Sequence, residues 1–216
     1  MDQYFQTKLL RDAQATFKAS IQIKEQIIAG SYLHTLIDMA QVITHSIMEG
    51  GKLMLCGNGG SAADAQHLAA ELLIRLRSHV NRDAIPAIPL AMDSSSMTAC
   101  GNDYGFEFLF ERMVAGLGRP GDVLLGITTS GKSKNIIRAL KYASAHGITT
   151  LGFLGCDGGL ALQDCDHAFL VPSTDTGRIQ ESHITAGHVL IEMIEEIMLE
   201  NGSIKINLAQ EREMQT

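Results

Sequence analysis

The sequence predicts a single doubly wound α/β domain, a five-stranded parallel sheet flanked by helices. Two observations lead to it. After Gly51, short apolar segments without polar alternation recur between helical patterns, as expected of strands buried on both faces. Two of these segments end in loops of glycine and hydroxyl residues that open into helices, the usual ligand-binding edge of such sheets. The 216 residues suffice for one domain with a full core, whereas two domains would each be small.

Composition narrows the function classes. Asp plus Glu number 24 against 17 Lys plus Arg, a formal net charge of −7. Such a chain lacks the diffuse basic footprint of a nucleic-acid binder, so no nucleic-acid partner is expected, and any phosphate it binds belongs in a local pocket. The amino terminus, "MDQYFQTKLLRDAQ", scatters charges among apolar residues and has no signal-peptide core. No apolar run approaches the roughly 20 residues that span a bilayer. Cys56, Cys100, Cys156 and Cys165 form no C-x-x-C pair and read as small buried residues. A cytoplasmic protein with no membrane partner is the simplest expectation.

Residues 1–50 read as two helices of the same domain, over 4–29 and 32–48. In the first, Phe5, Leu9, Ala13, Phe17 and Ile21 recur at four-residue steps, and Ile28 follows after a longer gap. Ser31 is placed to cap the second helix, and Gly50-Gly51 ends it. Both helices could cover the sheet, and a long leading helix could equally pack against another subunit. Residues 51–202 then alternate. "KLMLCG" precedes a helix from about Ser61 to Arg77, and "AIPLAMD" precedes another helical stretch. "DVLLGIT" leads into a helix from about Ser133 to Ala145. "ITTLGFLG" and "HAFLVPS" come next, and a helix of about 20 residues runs from Arg178. Residues 203–216 form a polar tail that is expected to fray.

The two loops share one plan. "LMLCGNGGSAADAQ" and "VLLGITTSGKSKNI" both run from apolar strand through a small-residue loop to a helix. A helix start offers backbone N–H groups and a positive dipole end, which together favour an anion. Thr128, Thr129, Ser130 and Ser133 add hydroxyls to one loop, and Asn58 with Ser61 add polar groups to the other. Helix capping alone accounts for isolated Ser or Thr here, but two such loops favour a phosphate pocket. Gly57-x-Gly59-x-x-Ala62 also fits the dinucleotide fingerprint. That motif expects an acidic residue about 20 residues on; here the next strand is read as ending at Asp93, about 30 on, so nicotinamide binding ranks below the phosphate reading.

His67 and Glu71 are i and i+4 on the helix behind the first loop, flanked by small alanines. The last helix carries Gln180, His183 and His188. Gln180 and His188 lie about 80° apart around the axis and roughly 12 Å along it, a long reach to a common atom. A frayed helix start, an extended site or a contribution from another subunit each accounts for that reach. His183 points elsewhere and reads as a hydrogen-bonded structural residue. A carboxylate and an imidazole beside a phosphate pocket suit aldose–ketose isomerisation. Glu71 suits the base that takes a proton beside the carbonyl, and His188 the group that moves a proton between oxygens. A divalent metal on His67, Glu71, Gln180 and His188 could stabilise the enediolate or order the site.

"CGNGGSAADAQHLAAEL", "GNDYGF", "GDVLLGITTSGKSKNI" and "RIQESHITAGH", taken in order, resemble the phosphoheptose isomerases of the sugar isomerase (SIS) family. That resemblance implies a homotetramer with active sites at subunit interfaces, the N-terminal helices taking part in the packing. It implies conversion of sedoheptulose 7-phosphate, a phosphorylated seven-carbon sugar, to D-glycero-D-manno-heptose 7-phosphate, the first step toward the heptose of the lipopolysaccharide core. It also implies that Asn58, Gly59, Gly60, Ser61, Gln180, Asn102 and Asp103 contact substrate, together with Glu71. Thr128, Thr129, Ser130 and Ser133 would hold the phosphate, Glu71 would be the base and His188 the acid. One zinc per subunit is implied on His67, Glu71, Gln180 and His188.

The chain departs from the family pattern at Gly177, where some members have Asp, and at Ala62, where some have His. Two non-catalytic alternatives stand beside the enzyme. A relative that scaffolds the bacterial replication initiator shares "SAADAQH" but lacks the counterparts of Glu71 and His188, both present here. A sugar-phosphate sensor would usually be fused to a DNA-binding or catalytic partner.

Overall fold

The computed structural model describes residues 2–90 and 93–206. The chain begins with α1 (Gln3–Ala29) and α2 (Tyr32–Met48). There follow β1 (Leu53–Gly57), α3 (Gly60–Leu73), β2 (Ala87–Pro89), α4 (Ser94–Asp103) and α5 (Leu109–Leu117). The second half runs β3 (Val123–Thr128), α6 (Lys134–Ala145), β4 (Thr149–Gly155), β5 (His167–Val171) and α7 (Thr176–Glu200). Short 3₁₀ turns at Phe106–Phe108 and Gly159–Asp164 complete the connections.

The five strands pair in the order β2-β1-β3-β4-β5, and every pairing is parallel. The chain leaves β1 toward one edge through β2, then returns to the other side at β3. The order therefore reverses between β1 and β3, and the loops after these two strands meet at that switch point, where ligands bind in open α/β sheets. The expected five-stranded, doubly covered sheet is what forms. Every residue of β1 and β3 is buried, which is why their sequences lack polar alternation. One core layer packs α2, α3 and α7 on the sheet around Phe153 and Phe169. The other packs α5 and α6 around Phe110 and Leu140.

The two leading helices behave differently. Leu36, Met39, Ala40 and Ile43 of α2 are fully buried against the sheet side, and each large one contributes roughly 1.5–3 kcal/mol of burial. In α1 only Ile27 is buried, while Phe5, Leu9, Leu10, Phe17, Ile21 and Ile28 stay exposed. So α2 covers the sheet, and α1 keeps its apolar face uncovered within the protomer. No helix among the described residues is long and apolar enough to cross a membrane.

Several local expectations are corrected. Ser31 occupies the cap position of α2, but its hydroxyl bonds no helix N–H; its carbonyl accepts from His34 instead. The third helix stops at Leu73 rather than Arg77, and Arg77 lies beyond it, paired with Glu195 of α7. The strand in "AIPLAMD" is only three residues long, and part of that stretch, 91–92, lies outside the described residues. Asp93 ends no strand; its carboxylate caps α4 by accepting from Ser96 N at 2.7 Å. The dinucleotide reading thereby loses its acidic partner. All four cysteines are free, and Cys56 and Cys100 are buried, but Cys156 is exposed in a turn at φ +54°. At the start of the tail, Ile204 is buried, the Lys205 carbonyl accepts from Asp83 N, and Lys205 N donates to the Asp83 carboxylate; the fraying expected further on, at 207–216, falls outside the described residues.

Candidate active site

The residues singled out by sequence fall into three groups. The first lies at the switch point. After β1, Gly59 takes φ +55°, a conformation that glycine alone adopts without strain, and α3 starts at Gly60. After β3, Gly131 takes φ +61° with its Cα against the Gly158 carbonyl, leaving no space for a side chain. The two loops are joined by a reciprocal amide pair. Asn58 Nδ2 donates to Asn135 Oδ1 at 2.9 Å, and Asn135 Nδ2 donates back to Asn58 Oδ1 at 2.8 Å. Asn135 is buried, and sequence reading passed over it; its only signal is a polar residue on the inward face of α6.

The hydroxyls here are not ordinary helix caps. Ser133 precedes α6 but makes no capping bond. Its Oγ lies 3.1 Å from Thr128 Oγ1. Ser130 Oγ accepts from Lys132 N at 3.2 Å. Lys132 and Lys134 flank the start of α6, and its first turn has no acidic residue. Cations at the positive end of a helix are unfavourable unless an anion sits among them. Ser61 is buried in the first turn of α3 beneath the loop. Gln180 joins this group, because its amide is packed directly on the Cα of Gly60.

The second group lies farther along the seam where α3 and α7 run side by side. Gly187 lets α7 approach closely; a methyl there would meet Leu68 at 2.5 Å. The imidazoles of His67 and His188 face one another with their Nε2 atoms 2.8 Å apart. Glu71 Oε1 lies 3.6 Å from His67 Nδ1. Asp64, one turn before His67, has a buried carboxylate oxygen with no partner. Burial raises its pKa, and the nearby His67 partly opposes the rise. Sequence reading missed Asp64 too, although Asp64, His67 and Glu71 share a face at three- and four-residue steps. His183 is fully buried, with Nε2 donating to the Leu154 carbonyl at 3.1 Å. Burial lowers its pKa to about 4.

The third group, Asn102 and Asp103, closes the exposed end of α4, where Asn102 Nδ2 donates to Asp103 Oδ1 at 2.8 Å. Asp103 lines a separate cavity of about 290 Å³ with Tyr104 and Arg112. The structure brings neither residue into hydrogen-bond contact with the loops.

For a metal, the donor set is partly assembled. Two imidazole nitrogens bound to one tetrahedral zinc stand roughly 3.4 Å apart, and the His67–His188 pair is about half an ångström closer than that. Glu71 faces the other ring nitrogen of His67, an orienting position, and Gln180 is at Gly60. Among the described residues no three His, Cys, Asp or Glu side chains converge on one point.

The SIS domain family model matches residues 17–155. The phosphoheptose isomerase of Aquifex aeolicus is 48% identical over 194 residues, 90% of this chain and 100% of that protein. The chain belongs to the phosphoheptose isomerases of the SIS domain family. Two solved phosphoheptose isomerases carry the same fold. The one from Neisseria gonorrhoeae has a TM-score of 0.81 and 38% identity, covering 87% of this chain and 99% of that one. The one from Francisella tularensis has a TM-score of 0.82 and 35% identity, covering 87% and 98%. The domain match stops before α7, but a 194-residue match in a 216-residue chain necessarily includes His188. The likeness to phosphoheptose isomerases therefore covers both sides of the α3–α7 seam.

Proposed function

We propose that this chain interconverts sedoheptulose 7-phosphate and D-glycero-D-manno-heptose 7-phosphate, feeding heptose to the lipopolysaccharide core. The observation that carries this reading is the seam itself: Glu71 and His188 flank His67 on paired helices in a chain so similar to phosphoheptose isomerases. Glu71 takes a proton from C1 of the open ketose, giving an enediolate over C1 and C2. His188 moves a proton between O1 and O2, and return of the carbon-bound proton to C2 yields the aldose. The switch-point amides and Thr128, Thr129, Ser130 and Ser133 hold the phosphate. A zinc ion, when bound, would be held by His67 and His188 with Glu71 adjacent, and would supply Lewis-acid stabilisation of the enediolate.

Reach argues for a shared site. Glu71 is eleven residues after Gly60, about 16 Å along α3. A seven-carbon chain with its phosphate, advancing about 1.2 Å per bond when extended, spans roughly 10 Å. A phosphate seated in one protomer's loops reaches that protomer's Glu71 only if the hydrogen bonds at both ends and the Glu71 side chain span the remaining ~6 Å. We propose a homotetramer in which the loops of one protomer face the seam of another, with α1 supplying apolar surface for assembly. The free thiols fit the reducing cytoplasm.

The test is aldose formation from sedoheptulose 7-phosphate, with and without a chelator and with zinc restored. Aldose formation supports the reading, and chelator sensitivity reversed by zinc supports the metal. A purified tetramer that forms no aldose under any of these conditions contradicts it and favours the scaffold.

A further inference from the structure

Beyond the seam lies a buried cluster of charge that no step of the proposed reaction uses. Glu195 of α7 and Arg82, which follows α3, are both fully buried in their side chains. Arg82 Nε donates to Glu195 Oε1 at 2.6 Å, and Arg77 Nε donates to Glu195 Oε2 at 2.9 Å. The rest of the Arg82 guanidinium turns to the end of α3. One terminal nitrogen donates to the Leu72 carbonyl and the other to the Glu71 carbonyl, both at 2.8 Å. A single side chain thus holds the last carbonyls of one helix and a carboxylate on the next.

We infer that Arg82 is a positioning residue: by gripping the carbonyl end of α3 and Glu195 of α7, it keeps Glu71 and His67 in register with His188. Glu195 is seven residues after His188, so it projects from nearly the same face of α7, about 10 Å farther along. The Glu71 carbonyl that Arg82 holds belongs to the candidate base itself. Net stability does not explain the pair, because desolvation offsets the attraction of buried charges and apolar replacements are often neutral. Geometry does. The planar guanidinium fork fixes the carboxylate and the two α3 carbonyls at once, with the Asp83 carbonyl as a fourth acceptor, which a lysine ammonium on a flexible stem does not. An error of about 1 Å in such a constellation costs on the order of a hundredfold in rate.

The kinetic readout rests on the isomerase reading, so a second readout is independent of it. Wild type, Arg82→Lys and the double variant Arg82→Met/Glu195→Leu are compared by thermal unfolding, by kcat and KM for sedoheptulose 7-phosphate, and by the 15N resonances of the His67 and His188 rings. The expected result is a kcat lower by roughly tenfold or more with KM within about twofold, since the phosphate loops lie at the other end of α3. The ring resonances move in both variants, and an apolar pair that restores the unfolding midpoint does not restore kcat. A folded variant with wild-type kcat and unmoved rings overturns the inference, as does a kcat that recovers with the midpoint. Should the double variant not fold, Arg82→Lys decides alone. If the wild type forms no aldose, the isomerase reading fails, and the ring resonances still decide the role of Arg82.

Discussion

His67 Nε2 and His188 Nε2 stand 2.8 Å apart across the α3–α7 seam, with Glu71 Oε1 3.6 Å from the opposite ring nitrogen of His67. At that separation one ring must donate and the other accept, so the two helices are joined by a single directed hydrogen bond, with the Glu71 carboxylate at ion-pair distance behind it. The close approach depends on Gly187, which removes the bulk that would hold α7 away from Leu68.

Glu71→Gln keeps the shape of the side chain and removes its basicity. The expected outcome is a kcat lower by roughly 10²–10⁴ with KM little changed. Steady-state rates on the folded variant check this, and a normal rate would refute Glu71 as the base.

A site shared between protomers allows complementation. Glu71→Gln and Ser133→Asp, the latter placing a carboxylate where the phosphate belongs, are each expected to be inactive. Co-refolded together, they should regain roughly a quarter of wild-type activity through sites that draw an intact half from each chain. A mixture as inactive as its components would instead place loops and seam of one chain in the same site.

Ser133→Ala separates phosphate binding from helix capping. A cap lost from α6 would cost about 1 kcal/mol of stability, but the Ser133 hydroxyl makes no capping bond. The unfolding midpoint should therefore hold, while KM rises roughly tenfold, the worth of one hydrogen bond to a charged group. A lowered midpoint with unchanged KM would favour the capping role.

Stability should fall as the solution is acidified through the range set by His183. Its folded pKa of about 4 lies below the ordinary value of 6.5, because Nδ1 is buried without a partner. A depressed folded value means that the unfolded chain takes up the proton first. The contribution is fully present above pH 6.5 and is lost as pH falls to about 4, on the order of 3 kcal/mol in all. Urea unfolding across this range should show the slope in the wild type and its loss in His183→Gln. A wild-type stability that rises on acidification would contradict the assignment.

The legible parts of the molecule are those with local causes. β1 and β3 read as buried parallel strands because neither face meets water, and Gly59 and Gly131 announced their turns. Seam and loop residues were readable from type and spacing, but their grouping was not. Gln180 packs on Gly60 because α3 and α7 run alongside each other, a fact of packing. Asn58 with Asn135, and Arg82 with Glu195, pair across 77 and 113 residues and leave no periodic trace. The early end of α3 has the same origin, since Arg77 pairs with Glu195 from beyond the helix. The three-residue β2 was overread because apolar residues continue past its last sheet bond.

Proton traffic at the sugar carbons tests the central claim most directly. Sedoheptulose 7-phosphate is incubated with the purified protein in D₂O and followed by NMR. Proton transfer through Glu71 predicts an aldose carrying deuterium at C2, and a Glu71→Gln protein that forms aldose and exchanged sugar slower by roughly 10²–10⁴. Ketose recovered unchanged from the wild type, with no deuterium at any carbon, would contradict the account.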